Sequence, residues 1–229
     1  MSPYLSVVVP VYNEARHISE LLRRVRAVDV DKEIICVDDC SSDGTWDILQ
    51  AEAKSDNGTR IFRHEVNGGK GAAVRTGLGQ TKGEVILVQD ADLEYDPNDY
   101  PGLLEPIRRG ETKVVYGSRF MGNPESMSLT HSLGNRGLTL VANILFGQRL
   151  TDLETCYKVF TAEVNAGLRL VSPRWGFDPE ITAKIIRLGY SIKEVPISYH
   201  GRSYDEGKSI RWQDGFTVFL TLLRFRFLP

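Results

Sequence analysis

The feature that most constrains this 229-residue chain is an alternation along its first half. Short apolar, β-branched runs at 5–11, 33–37, 60–63, 84–88 and 113–116 alternate with longer stretches of helical spacing. That rhythm belongs to βαβ units and a mostly parallel sheet. The first intervening stretch puts Ile18, Leu21, Leu22 and Val25 at i, i+3, i+4 and i+7, which lays one apolar face on a sheet. Runs that are apolar throughout predict strands buried on both faces. The second half is less regular, with helical patterns at 132–146 and 178–188, a strand-like run at 191–198 and a final helix from about Ile210. The expected architecture is α/β, a single domain over 1–209 around a mostly parallel central sheet, followed by an amphipathic, interfacial helix over 210–229.

In open parallel sheets, ligands bind beyond the carboxyl ends of the strands, near the point where strand order reverses. Polar clusters after strands are therefore the candidates: PVYNE (10–14), DDCSSDGT (38–45) and QDADLEY (89–95). All three should converge on one edge. Asp90 and Asp92 present alternating carboxylates after a buried strand, which suits Mg²⁺ or Mn²⁺, hard cations that take carboxylate and phosphate oxygens together. A calcium loop fails, because counting from Asp90 puts Tyr95 where Gly belongs and Pro101 where Glu belongs. Asp43 stands where a helix cap is expected. Adjacent carboxylates at a strand end repel each other, so Asp39 is expected to meet a donor such as a base or a ribose. NGGKG (67–71) lets backbone amides approach a ligand, with Lys70 as a cation at a helix start. It lacks P-loop spacing, and no GxGxxG follows the first strand, so kinases, ATPases and NAD enzymes lose support.

Composition narrows the partners. Lys plus Arg total 28 against 30 for Asp plus Glu, which gives no bulk electrostatic reason to expect nucleic acid. Cys36, Cys40 and Cys156 are odd in number and lack metal-ligand spacing, as expected of reduced thiols in a cytosolic compartment. Residues 1–14 lack a secretory signal pattern. The longest uncharged stretches, 137–148 and 215–223, fall short of the about 20 apolar residues a spanning helix needs. His17, His64, His131 and His200 show no ligand spacing and are expected to be structural or surface residues.

The ordered set PVYNE, DDCSSDGT, NGGKGAAVRTG (67–77), DADLEY (90–95), GSR (117–119) and DLETCYKVF (152–160) resembles glycosyltransferase family 2. Within it, the likeness is to polyprenyl-phosphate glycosyltransferases, the group of dolichyl-phosphate mannose synthase and bacterial undecaprenyl-phosphate glucosyl- and aminoarabinosyltransferases. The resemblance implies a GT-A, Rossmann-like fold and an inverting transfer of a hexose from a nucleotide-diphosphate sugar of GDP-mannose or UDP-glucose type to polyprenyl phosphate. It implies that Pro10, Tyr12, Glu14 and Asp39 surround base and ribose, with Lys70 near base or phosphates. Asp90 and Asp92 match the metal pair, and Glu94 stands where mannose synthases tend to carry Gln as a further ligand. Arg119 matches an arginine facing phosphate, and Asp152 sits near the transferred sugar. Arg202 and Lys208 fall on a loop covering donor and acceptor phosphates, in RSYDEGKS rather than the family's more usual GxSK spacing. The implied location is the cytoplasmic face of a membrane, with anchorage from the final helix, from dimerisation or from a membrane-protein partner. The alternatives are a saccharide acceptor and a non-catalytic nucleotide-sugar-binding role. The QxxRW pattern of processive enzymes is incomplete, since Lys208 precedes Arg211 and Trp212 where Gln belongs.

Overall fold

The computed structural model describes residues 2–122, 129–174, 176–201 and 212–228. The chain runs β1 (Leu5–Val11), α1 (Ile18–Ala27), β2 (Lys32–Asp38), α2 (Thr45–Ser55), β3 (Thr59–Arg63), α3 (Lys70–Leu78), β4 (Val85–Val88) and α4 (Tyr100–Arg108). It continues through β5 (Val114–Ser118), α5 (Leu129–Phe146), β6 (Lys158–Thr161), α6 (Ala162–Gly167), α7 (Phe177–Arg187), β7 (Lys193–Pro196) and α8 (Trp212–Phe227). The strands form one sheet in the order β3-β2-β1-β4-β6-β5-β7.

Pairing is parallel except around β6, which runs antiparallel to both β4 and β5. Sequence patterning gives no strand at 158–161. The run is only four residues long, and it opens with a lysine, which a reading by apolar pattern scores as surface; here Lys158 is fully buried. The strand-like run at 191–198 shortens to β7, a half-exposed edge strand.

Burial follows position in the sheet. β1 and β4 are buried at every residue, as strands covered on both faces must be. The edge strand β3 is only partly buried. Helix α1 buries Ile18, Leu21, Leu22 and Val25, the four positions its spacing picks out. Helix α3 lies so close to β1 that a Cβ at Gly77 would run into Val8, so only glycine fits there. A second, smaller cluster of Ala142, Leu153, Val218 and Leu222 joins α5 to α8 outside the main core.

Candidate active site

Strands β1, β2, β4, β5 and β7 point the same way and β6 the opposite way, so one edge of the sheet collects the ends of the first five and the start of the sixth. That edge carries Tyr12 to Glu14, Asp38 and Asp39, Asp90 and Asp92, Arg119, and the 152–157 segment. Strand order reverses between β1 and β4, the position where such sheets bind ligands. The three polar clusters converge as expected.

On the β1–β2 side, Pro10 is buried within β1 and Tyr12 is 50% exposed. Asn13 takes a left-handed φ of 52°, and its turn is fastened by Asn13 N to Ser41 Oγ at 2.9 Å and Ser42 N to Asn13 Oδ1 at 2.9 Å. Glu14 N donates to Thr45 Oγ1, and Glu14 Oε2 lies 2.7 Å from His17 Nδ1. Asp43 accepts from Thr45 N at 3.1 Å, so it caps α2 from one residue before the Gly44 boundary.

Asp39 finds its donors within the protein. Its carboxylate accepts from Gly68 N at 3.0 Å and Gly69 N at 2.6 Å, and Oδ1 lies 2.7 Å from His64 Nδ1. The far ring nitrogen of His64 reaches Thr76 Oγ1 at 2.9 Å. Within the protein, the repulsion at the strand end is thus relieved by the NGGKG amides and His64. His64 was missed because nothing in its spacing sets it apart; its place three residues ahead of NGGKG was the one available signal.

Lys70 opens α3 and reaches Asp90 Oδ1 at 2.8 Å. Burial disfavours both charges, yet each supports the other: the Asp90 carboxyl is held below its ordinary value and the Lys70 ammonium well above its own. The loop under Lys70 is clamped from the far side. Pro173 O accepts from Ala72 N at 3.0 Å, and a Cβ at Gly71 would come within 2.9 Å of that oxygen and closer still to Ser172 O. Asp92 Oδ1 accepts from Glu94 N at 3.1 Å, while Glu94 Oε2 accepts from Tyr199 Oη at 2.7 Å. Among the described residues no three His, Cys, Asp or Glu side chains form a ready-made metal cage. The donor chemistry of Asp90 and Asp92 nonetheless fits a hard divalent cation, which is commonly held by one or two carboxylates and completed by substrate phosphates.

On the β5–β6 side, Arg119 and Asp152 are spent on each other. Arg119 Nε and Nη2 donate to the two carboxylate oxygens at 2.7 Å each, and Arg119 N donates to Oδ2 at 3.1 Å. Both are buried. Burial opposes the Arg119 charge, but Asp152 outweighs it and holds the guanidinium well above its ordinary value. Glu194 of β7 fixes the same loop by accepting from Thr151 N at 2.7 Å and Asp152 N at 2.9 Å. Lys158 points its ammonium at Asp178 Oδ1, 2.6 Å away, and at the Leu153 and Thr155 carbonyls. Glu194 and Asp178 carry no signal in the sequence and Lys158 is visible only as part of DLETCYKVF, because β6, α7 and β7 bring these groups to the loop only through the fold. Arg202 and Lys208 lie outside the described residues.

Solved structures share this fold. Glucosyl-3-phosphoglycerate synthase from Mycobacterium tuberculosis, in complex with Mn²⁺, uridine diphosphate and glucosyl-3-phosphoglycerate, superposes with a TM-score of 0.74 at 22% identity, covering 99% of this chain and 81% of that one. Among curated proteins, undecaprenyl-phosphate mannosyltransferase from Micrococcus luteus is 30% identical over 211 residues, 88% of this chain and 85% of the relative. Dolichol-phosphate mannosyltransferase from Pyrococcus furiosus is 31% identical over 212 residues, covering 89% of this chain and 58% of that protein. Residues 6–169 match the sequence profile of Glycosyl transferase family 2, a span that contains every motif gathered at the sheet edge from PVYNE to DLETCYKVF, and the chain is a member of that family.

Proposed function

We propose that this chain moves a hexose, with inversion, from a nucleoside-diphosphate sugar to the phosphate of a polyprenyl phosphate at the cytoplasmic face of a membrane. The observation that carries the reading is the convergence of the Tyr12–Glu14, Asp39, Asp90 and Asp92 positions on one edge where strand order reverses. The names of the Micrococcus and Pyrococcus relatives support the lipid acceptor.

Asp90 and Asp92 would hold Mg²⁺ or Mn²⁺, which when bound supplies charge neutralisation on the leaving diphosphate. Lys70 keeps Asp90 ionised and adds a cation beside the phosphates. The turn at Tyr12 to Glu14 and the amides pinned by Asp39 shape the base and ribose side. A phosphate acceptor is already ionised, its second pKa being about 6, so the reaction needs no strong general base. Asp152 matches that requirement: clasped by Arg119, it positions the loop beside the sugar and does not take a proton. Arg202 and Lys208 are assigned to the phosphates on the resemblance alone.

Membrane contact is assigned to α5 and α8. Leu140 and Ile144 of α5, at 59% and 73% exposure, and Phe216, Leu220 and Phe227 of α8, at 63%, 48% and 74%, stand outside the cluster that joins the two helices. Arg224 and Arg226 flank the α8 residues, the combination that settles a helix on an anionic surface. No described helix is long and apolar enough to cross a membrane. Dimerisation or a membrane-protein partner is the alternative source of anchorage.

The test incubates purified protein with Mn²⁺ or Mg²⁺, a short-chain polyprenyl phosphate, and GDP-mannose, UDP-glucose or UDP-N-acetylglucosamine in turn, following lipid-linked sugar by mass spectrometry. Metal-dependent product from one donor, lost in Asp92→Ala, upholds the reading. Product on a saccharide acceptor alone overturns the lipid assignment, and donor binding without turnover on either acceptor overturns catalysis.

A further inference from the structure

The 152–157 loop carries a polar group that the mechanism does not use. Glu154 Oε1 is buried and has no hydrogen-bond partner among the described residues. Two cations face it, and each is taken by another carboxylate: Arg119 by Asp152 at 2.7 Å and Lys158 by Asp178 at 2.6 Å. Glu154 is the carboxyl left over. The loop that carries it enters the sheet beside β4, the strand that Asp90 follows, since β6 pairs with β4 through Leu87 and Val159.

The corner around Glu154, with Arg119 and Lys158 each held by a carboxylate, presents no spare positive charge to a phosphate. It does suit the one uncharged, hydroxyl-rich part of the donor. We infer that Glu154 is a specificity-determining residue that hydrogen-bonds a hydroxyl of the transferred hexose. This rests on the transferase reading and adds to it the side chain that reads the sugar. The charged groups facing Glu154 are Asp178 of α7, Lys158 of β6, Arg119 beyond β5 and Asp152 of its own loop. Burial pushes the carboxyl up, to about 8, with Asp178 adding to the rise and Lys158 and Arg119 opposing it. At neutral pH the group is therefore a neutral acid, able both to donate to a hydroxyl oxygen and to accept from a hydroxyl proton.

The experiment compares calorimetric binding of UDP with UDP-glucose, and of GDP with GDP-mannose, to the full chain with Mn²⁺. Glu154→Ala should weaken the nucleotide sugar about tenfold while leaving the nucleoside diphosphate within about twofold, the loss of one well-made hydrogen bond. Glu154→Gln, a mimic of the neutral acid, should keep the sugar-dependent increment flat from about pH 6 to about pH 9, whereas in the unmodified chain that increment falls as pH passes through about 8. Glu154→Gln also keeps the test decisive if the alanine variant misfolds. Equal weakening of diphosphate and nucleotide sugar, or no change in either, overturns the inference and leaves the transferase reading standing. If the unmodified chain binds neither ligand, the transferase reading falls and takes the inference with it.

Discussion

Helices α1 and α5 both carry apolar residues at helical spacing and put them to different use. In α1 the periodic face is wholly buried against the sheet, with Ile18, Leu21, Leu22 and Val25 all at 0% exposure. In α5, Ala142 is covered by α8 while Leu140 and Ile144 stay outside, and α8 repeats the division with Val218 and Leu222 inside and Phe216 and Leu220 outside. Spacing alone makes both helices amphipathic. What separates them is whether the sheet supplies a surface for every apolar position, and the helix pair outside the main core has more apolar faces than neighbours. An apolar face that the fold leaves uncovered points to a partner surface.

The comparison predicts that substitutions of the metal-site carboxylates disturb chemistry, those of buried ion-pair or packing groups disturb stability, and those on the outer helix pair disturb docking alone. The largest effect is expected from Asp92→Ala, which should lower metal-dependent turnover by on the order of 10²–10³-fold without changing vesicle binding, as loss of a charge-stabilising group does. Loss of vesicle binding in the same variant would break the separation. Next, Asp152→Asn leaves the Arg119 guanidinium buried without its counter-charge and should cost about 3–5 kcal/mol in urea unfolding; an unchanged midpoint would mean that the ion pair contributes nothing. Leu22→Ala, under the sheet, should cost about 2–5 kcal/mol. The smallest stability change belongs to Leu140→Ser and Leu220→Ser, within about 0.5 kcal/mol each. Their effect should appear in sedimentation with vesicles of anionic lipid, where each is expected to reduce binding about tenfold. If both proteins unfold earlier and bind vesicles normally, the outer stripe is packing surface.

The readable part of the fold was the part governed by local pattern. Strand β1 was marked at both ends by its apolar run, and α1 by four residues on one face. Strand β6 was not readable, because its identity depends on lying between β4 and β5, and its buried Lys158 is acceptable only where Asp178 and two carbonyls receive it. The site divides likewise. Asp90 and Asp92 were visible as alternating carboxylates after a strand. That Lys70 would meet Asp90, or that His64 would sit behind Asp39, follows from α3 folding back over β1 and β2, and no spacing in the sequence encodes it.

By itself the sequence determined the βαβ alternation of the first half, its strands β1 to β5 and the three polar clusters that had to share an edge, since all of these follow from periodicity and from chain direction in a parallel sheet. The tertiary structure alone decided which charges are spoken for. Arg119 and Asp152, Lys70 and Asp90, and Lys158 and Asp178 are separated along the chain but lie within 2.8 Å of one another in pairs. Ion pairing in a low-dielectric interior depends on distances of a few ångströms, which the order of residues does not specify until the strands are laid side by side.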